Sequence, residues 1–168
     1  GMVGRTLIDR LRPFDLDILV ADPYLSDKNA EQFAVKRVSL EDVFRRALVV
    51  SNHAPDLPAT KGMIQRSHFE SMREHAVFIN TGRGATVDEE AMIAVLRERP
   101  DLTVLLDVMD PEPPLDGSPF YELPNVHLTT HIAGALGNEV VRMADYMIEE
   151  LTALREGRPL RYEITSEM

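Results

Sequence analysis

The chain has 168 residues, 44 % of them apolar and 27 % charged, and eighteen basic against twenty-eight acidic side chains give a net charge of −10. That predicts one globular domain burying roughly 70 % of its unfolded surface, and it excludes a disordered or collagen-like bulk. A surface this acidic repels phosphate backbones and anionic lipid, and the lack of cysteine removes disulfides, thiolate catalysis and Cys-ligated zinc.

No apolar run approaches the roughly 18 residues of a membrane span, and no basic-then-apolar leader opens the chain. The expectation is a soluble, cytoplasmic protein with no nucleic-acid, membrane or metal partner.

In chain order, Gly1-Met2-Val3-Gly4 runs into a helix expected over Arg5–Arg12, where Leu7, Ile8 and Leu11 lie at helical spacing. Asp17–Asp22 reads as a strand. Ser39 with Asp42 opens a helix over Leu40–Arg46, and Ser67 with Glu70 opens another, both in the reciprocal capping pattern. Between and after them come strands at Ala47–Ser51 and Ala76–Asn80. Asp88 caps a helix over Glu89–Arg97, striped by Met92, Val95 and Leu96. Strands follow at Thr103–Asp107 and Val126–Thr129, with Pro111–Pro119 as an ordered loop between them. The longest helix spans Glu139–Glu156, closes at Gly157 and stops before Pro159. The five strands are nearly continuously apolar, as strands buried on both faces are. Their starts leave room for a helical crossover between each pair, as parallel strands require. The fold predicted is α/β, built on a parallel sheet.

Three stretches carry candidate chemistry. Gly1 and Gly4 at a helix start, with Asp22 at the next strand end, form the back half of a dinucleotide fingerprint: glycines for a pyrophosphate, an acid for ribose hydroxyls. By itself this pattern reads equally well as a plain helix start with a solvated strand-end acid. Arg83, between glycines in Asn80-Thr81-Gly82-Arg83-Gly84 just past a strand, can present a fixed fork to a carboxylate, or pair with a surface acid. Glu112 and His131 each follow a further strand. A histidine with a carboxylate neighbour can act as a general acid near neutral pH. His53 also stands at a strand end, whereas His68, His75 and His127 read as helix-surface, turn and in-strand residues.

Together these stretches resemble the cofactor-binding domain of the NAD-dependent D-2-hydroxyacid dehydrogenases. The resemblance runs through Gly1–Gly4 with Asp22-Pro23, Ser51–Pro55 with Thr60–Ile64, Phe78–Gly84, Val87–Glu89, Leu106–Pro113, Leu123–Val126 and Thr130–Gly134. It implies a Rossmann-like doubly wound parallel sheet, NAD as cofactor and a small 2-hydroxy or 2-oxo acid as substrate. Arg83 would then bind the substrate's carboxylate and C2 oxygen, and His131 would exchange a proton with that oxygen. Glu112 would hydrogen-bond His131 and favour its protonated ring. Gly1, Gly4, Asp22, Thr81, Asp107 and Gly134 would line the cofactor, with Asp22 on the adenosine ribose disfavouring NADP and Asp107 at the nicotinamide carboxamide. Met109 and Asn52 depart from the family's usual aromatic and aliphatic residues, and the resemblance gives neither a part in the chemistry.

Members of that family also carry a substrate domain and a first Rossmann strand, and residues 1–168 resemble the dinucleotide-binding domain without either. Gly1-Met2 resembles a tag remnant before a start codon. The expectation is therefore a fragment inactive alone, homodimeric, whose sheet is interrupted between the strands ending at Asp22 and near Ser51. Its residues 1–38 would pack on a partner or leave their usual place. The alternative is an NAD-sensing interaction module of the corepressor type found in the same family.

Overall fold

Residues 1–163 are described by the structure, a computed structural model, so the last five residues of the expected domain lie outside it. They form two compact units, the first running Gly1–His131 and the second starting at Ile132. In chain order the first holds α1 (Met2–Leu11), β1 (Leu19–Val20), α2 (Asp27–Phe33), β2 (Lys36–Arg37), α3 (Leu40–Arg46), β3 (Val49–Asn52), α4 (Arg66–Glu70), β4 (Val77–Asn80), α5 (Glu89–Glu98), β5 (Thr103–Leu106) and β6 (Val126–Leu128). Single 3₁₀ turns lie at Gly84–Thr86 and Pro119–Tyr121.

All strand pairs are parallel, in two sheets: β1 with β2, and β3-β4-β5-β6 in sequence order. The chain thus steps one strand along the larger sheet at each crossover. No ladder joins β1 to β3, so the two sheets are separate at the point where the family resemblance implies a further strand.

Local chemistry explains most elements. Ser39 caps α3 by accepting the Asp42 N–H at 3.1 Å, and Asp88 caps α5 through the Ala91 N–H at 3.0 Å. The expected Ser67 cap is wrong, because Ser67 lies inside α4. There the cap residue is Gln65, whose N–H donates to His68 Nδ1 at 3.0 Å. His68 is therefore buried, 7 % exposed, rather than on the helix surface. Helix α1 starts at Met2, earlier than expected, and the first strand shrinks to Leu19–Val20. Neither α2 nor β2 is predicted by the sequence pattern. Helix α2 is capped by Ser26 but closed by Ala34 at φ +54, without a glycine to signal its end. The paired residues of β2 are Lys36 and Arg37, both exposed, so no apolar run marks it.

The core lies on one face of the larger sheet. Phe44 of α3, Phe69 of α4 and Phe78 of β4 are fully buried, with ring centroids 5.2–5.8 Å apart; the Phe69–Phe78 pair meets edge to face. Met92, Val95 and Leu96, the predicted stripe of α5, join Val104 and Leu106 of β5 in the same cluster. The expectation of strands buried on both faces needs correction: Val50, Phe78 and Val104 point inward and are buried, but Val49 is 53 % and Leu105 37 % exposed. The opposite face of these strands, where Val49, Val77, Ile79 and Leu105 alternate with the buried residues, is only partly covered.

The second unit holds α6 (Asn138–Arg155), closed at Gly157 with φ +67 as its sequence predicts. Glu150 accepts the Arg161 and Tyr162 N–H groups, turning the tail back along the helix. Among the described residues no helix is long and apolar enough to cross a membrane.

Candidate active site

Because β3 to β6 are parallel neighbours, their carboxyl ends deliver four chemically active side chains to one rim, at steps of about 4.8 Å between strands. His53 follows β3, Arg83 follows β4, Glu112 lies beyond β5, and His131 lies just past β6.

Glu112 and His131 meet directly, with Glu112 Oε1 2.6 Å from His131 Nδ1 and both side chains part-exposed. A ring held at Nδ1 leaves Nε2 as the atom that can exchange a proton. The backbone of His131 is left-handed, at φ +58. Histidine tolerates this conformation better than most residues, though it still costs roughly 1–3 kcal/mol. An apolar hollow of about 290 Å³ adjoins the pair, walled by Met109, Pro113, Pro114, Tyr121 and Leu128.

Arg83 is exposed, and its guanidinium donates to the Gly82 carbonyl at 2.7 Å. A groove of about 420 Å³ runs past it, lined by Val3, His53, Ala54, Pro55, Asp56, Thr81 and Gly82. His53 Nε2 lies 2.9 Å from Ser51 Oγ, and burial pushes its ring below the usual histidine range. Both glycines beside Arg83 are dictated by close approach. A Cβ on Gly84 would overlap the Met109 carbonyl, and one on Gly82 would press on the Ala54 carbonyl at 3.2 Å. Gly84 therefore lets the arginine loop sit on the loop leading to Glu112.

Beneath Arg83 lies a polar cluster that the sequence did not announce. Asn52, Asn80 and Thr86 are 6 %, 1 % and 0 % exposed. Asn52 Nδ2 donates to Asn80 Oδ1 at 3.0 Å and to Thr86 Oγ1 at 2.9 Å. Asn80 Nδ2 and Thr86 Oγ1 both donate to the Arg83 carbonyl, at 3.2 and 2.7 Å. Asn52, expected to stand apart from the chemistry, is thus two hydrogen bonds from the Arg83 backbone. Glu89 is expected only as the first residue of a helix, yet its Oε1 accepts the Asp110 N–H at 2.9 Å. Burial, aided by the Asp110 charge and opposed by that N–H, pushes the Glu89 carboxyl up to about 7.

The remaining predicted positions fall as follows. Gly1 precedes α1, whose start no side chain caps, and Gly4 has open space where a Cβ would lie. Asp22 Oδ2 stands 3.7 Å from the Gly1 N-terminal ammonium, so the two predicted positions lie near each other. An acid beside an uncapped helix start is the donor and acceptor set that a dinucleotide's pyrophosphate and ribose require, and the residues present fit NAD. Thr81 is exposed on the groove. Asp107 is buried, and its Oδ1 accepts the Thr129 hydroxyl at 2.5 Å. Gly134 belongs to the second unit and has open space at its Cβ position.

The Rossmann-like α/β fold thus carries a His–Glu pair and an arginine beyond the carboxyl ends of its larger sheet, and the fingerprint positions at the start of α1 and beyond β1. Residues 1–133 match the family described as "D-isomer specific 2-hydroxyacid dehydrogenase, NAD binding domain". The chain belongs to that family. It is 30 % identical over 161 residues to the D-3-phosphoglycerate dehydrogenase of Archaeoglobus fulgidus, covering 96 % of this chain and 31 % of that protein. Against the glycerate dehydrogenase of Methylorubrum extorquens the figures are 30 % over 161 residues, 95 % and 49 %. The crystal structure of the TT0316 protein from Thermus thermophilus superposes with a TM-score of 0.80 at 34 % identity, over 98 % of this chain and 51 % of that one. A phosphoglycerate oxidoreductase from Rhizobium etli gives a TM-score of 0.84 at 29 % identity, over 99 % and 51 %. The chain spans about a third to a half of the length of these relatives.

Proposed function

We propose that this chain is the NAD-binding part of an NAD-dependent 2-hydroxyacid dehydrogenase, acting in the cytoplasm as a homodimer on a small 2-hydroxy or 2-oxo acid. The 2.6 Å Glu112–His131 pair, on the same rim as Arg83, carries the reading. NAD, when bound, supplies hydride transfer at the substrate's C2. Arg83 holds the carboxylate and the C2 oxygen in its guanidinium fork. His131 Nε2 gives a proton to that oxygen in reduction and takes one from the hydroxyl in oxidation, while Glu112 fixes the ring and balances its charge. Asp22 accepts hydrogen bonds from ribose hydroxyls and repels a 2′-phosphate. Gly1 and Gly4 lie against the pyrophosphate, Asp107 meets the nicotinamide carboxamide, and Thr81 lines the cofactor.

The 168-residue chain, an open half-site, shows no turnover by itself, because closure is what preorganises substrate and excludes water. Isothermal titration of the chain with NAD and NADP tests the cofactor assignment. NAD binds weakly and better than NADP, and Asp22→Ala narrows that preference; an unchanged preference refutes the ribose role. In a protein joining this chain to a substrate domain, His131→Ala lowers kcat far more than NAD affinity, whereas Arg83→Ala also weakens 2-oxo acid binding. Light scattering at high micromolar concentration checks the assembly, and a monomer contradicts it.

A further inference from the structure

We infer that Asn52 is a positioning residue for Arg83, acting through Asn80 and Thr86; this rests on the reading of Arg83 as the carboxylate-binding residue. The two amide hydrogens of Asn52 Nδ2 are both spent, one on each intermediary, and each intermediary then donates to the same Arg83 carbonyl. The other peptide of the arginine turn is held as well, since the Gly82 N–H donates to Asn80 Oδ1 at 3.1 Å. Asn52 Oδ1 accepts the Ala54 N–H at 3.1 Å, so one buried amide fastens the loop after β3 to the loop after β4.

The guanidinium itself is exposed, and among the described contacts its side chain donates only to the carbonyl of the adjacent Gly82. What orients it is therefore the backbone from which it springs. That backbone is fixed at Gly82 N and at the Arg83 carbonyl, both by groups that converge on Asn52. Gly82 makes the arrangement possible, because a Cβ there would approach Asn52 Nδ2 to 3.4 Å and the Asn52 carbonyl to 3.3 Å. An aliphatic residue at 52 would fill the same volume but leave Asn80, Thr86 and the Ala54 N–H each short of a partner. In so buried a place the loop would shift to recover them.

The test uses the 168-residue chain and oxalate, whose carboxylate and neighbouring oxygen copy the reacting end of a 2-oxo acid. Oxalate affinity is read by NMR titration, and loop order by hydrogen exchange of the Gly82 amide. Asn52→Leu and Thr86→Val are expected to weaken oxalate by at least about tenfold and to speed Gly82 exchange by a similar factor, since the first breaks three buried hydrogen bonds and the second two. Thr86→Ser, which keeps the hydroxyl, should restore both, and the far-ultraviolet spectrum should be unchanged throughout. If Asn52→Leu does not fold, the Thr86→Val and Thr86→Ser pair decides the matter. Wild-type oxalate affinity and Gly82 exchange in Thr86→Val overturn the inference. Arg83→Ala separates the two levels: if it abolishes oxalate binding while Asn52→Leu does not weaken it, the tether fails alone; if it leaves binding intact, the carboxylate assignment fails, and this inference with it.

Discussion

Replacing Glu89 with glutamine isolates the cost of keeping a half-buried carboxylate at the start of α5. The glutamine carbonyl can still accept the Asp110 N–H that Glu89 Oε1 takes at 2.9 Å, so the variant removes charge and leaves the contact. Glu89 titrates at about 7 in the folded chain against 4.5 ordinarily, chiefly through burial. At about 1.4 kcal/mol per pH interval of shift this corresponds to roughly 3.4 kcal/mol, and solvent screening of a part-exposed group reduces it to about 1–2 kcal/mol. The folded state binds the proton more tightly than the unfolded chain does. The favourable contribution is therefore complete below pH 4.5, declines between 4.5 and about 7, and is gone above. Urea denaturation of both proteins across this range gives the difference with other carboxylates cancelled. Glu89→Gln should be more stable than the parent by about 1–2 kcal/mol at pH 8, with the advantage vanishing near pH 5. A difference that does not vary with pH refutes the reasoning, as does a carbon-13 carboxyl titration placing Glu89 in the ordinary range.

Two further substitutions probe the backbone. Gly84→Ala should cost about 3 kcal/mol in urea denaturation, because its Cβ would overlap the Met109 carbonyl, whereas Gly82→Ala should cost about 1 kcal/mol since its neighbours need only yield slightly; equal effects would contradict the close-approach argument. Ala34→Gly should stabilise by about 0.5–1 kcal/mol and raise Tm by a few degrees, relieving a non-glycine residue at φ +54 in the α2 C-cap; a lower Tm would refute it.

What the sequence makes legible is what periodicity and capping control. The strands around Val50, Phe78, Val104 and Val126 are short apolar runs at crossover spacing, and Ser39 and Asp88 mark their helices with side chains that reach the expected N–H groups. The rim assignment follows from the same logic, since parallel strands send every following loop to one side. Elements held by long-range pairing escape such a reading: β2 exists only because Lys36 and Arg37 lie against Leu19 and Val20. At the site, residue type and strand order place Glu112 and His131 on one rim, and the family resemblance implies that they pair. Asn52 could not, because a polar residue in an apolar strand reads as a deviation until its partners, 28 and 34 positions away, are seen. The buried cap made by His68 escaped for a similar reason: its ring turns back on the Gln65 N–H instead of outward.

The left-handed backbone of His131 bears on how its chemistry can be dissected. In a protein joining this chain to a substrate domain, an alanine there deletes the imidazole and also installs a residue poorly suited to φ +58, so any lost activity would merge loss of the proposed proton carrier with a displaced backbone. Asparagine accepts that conformation as readily as histidine and cannot shuttle a proton at neutral pH. Position 131 is thus one where asparagine is the cleaner exchange, and the gap between His131→Asn and His131→Ala measures what the mismatched backbone alone contributes.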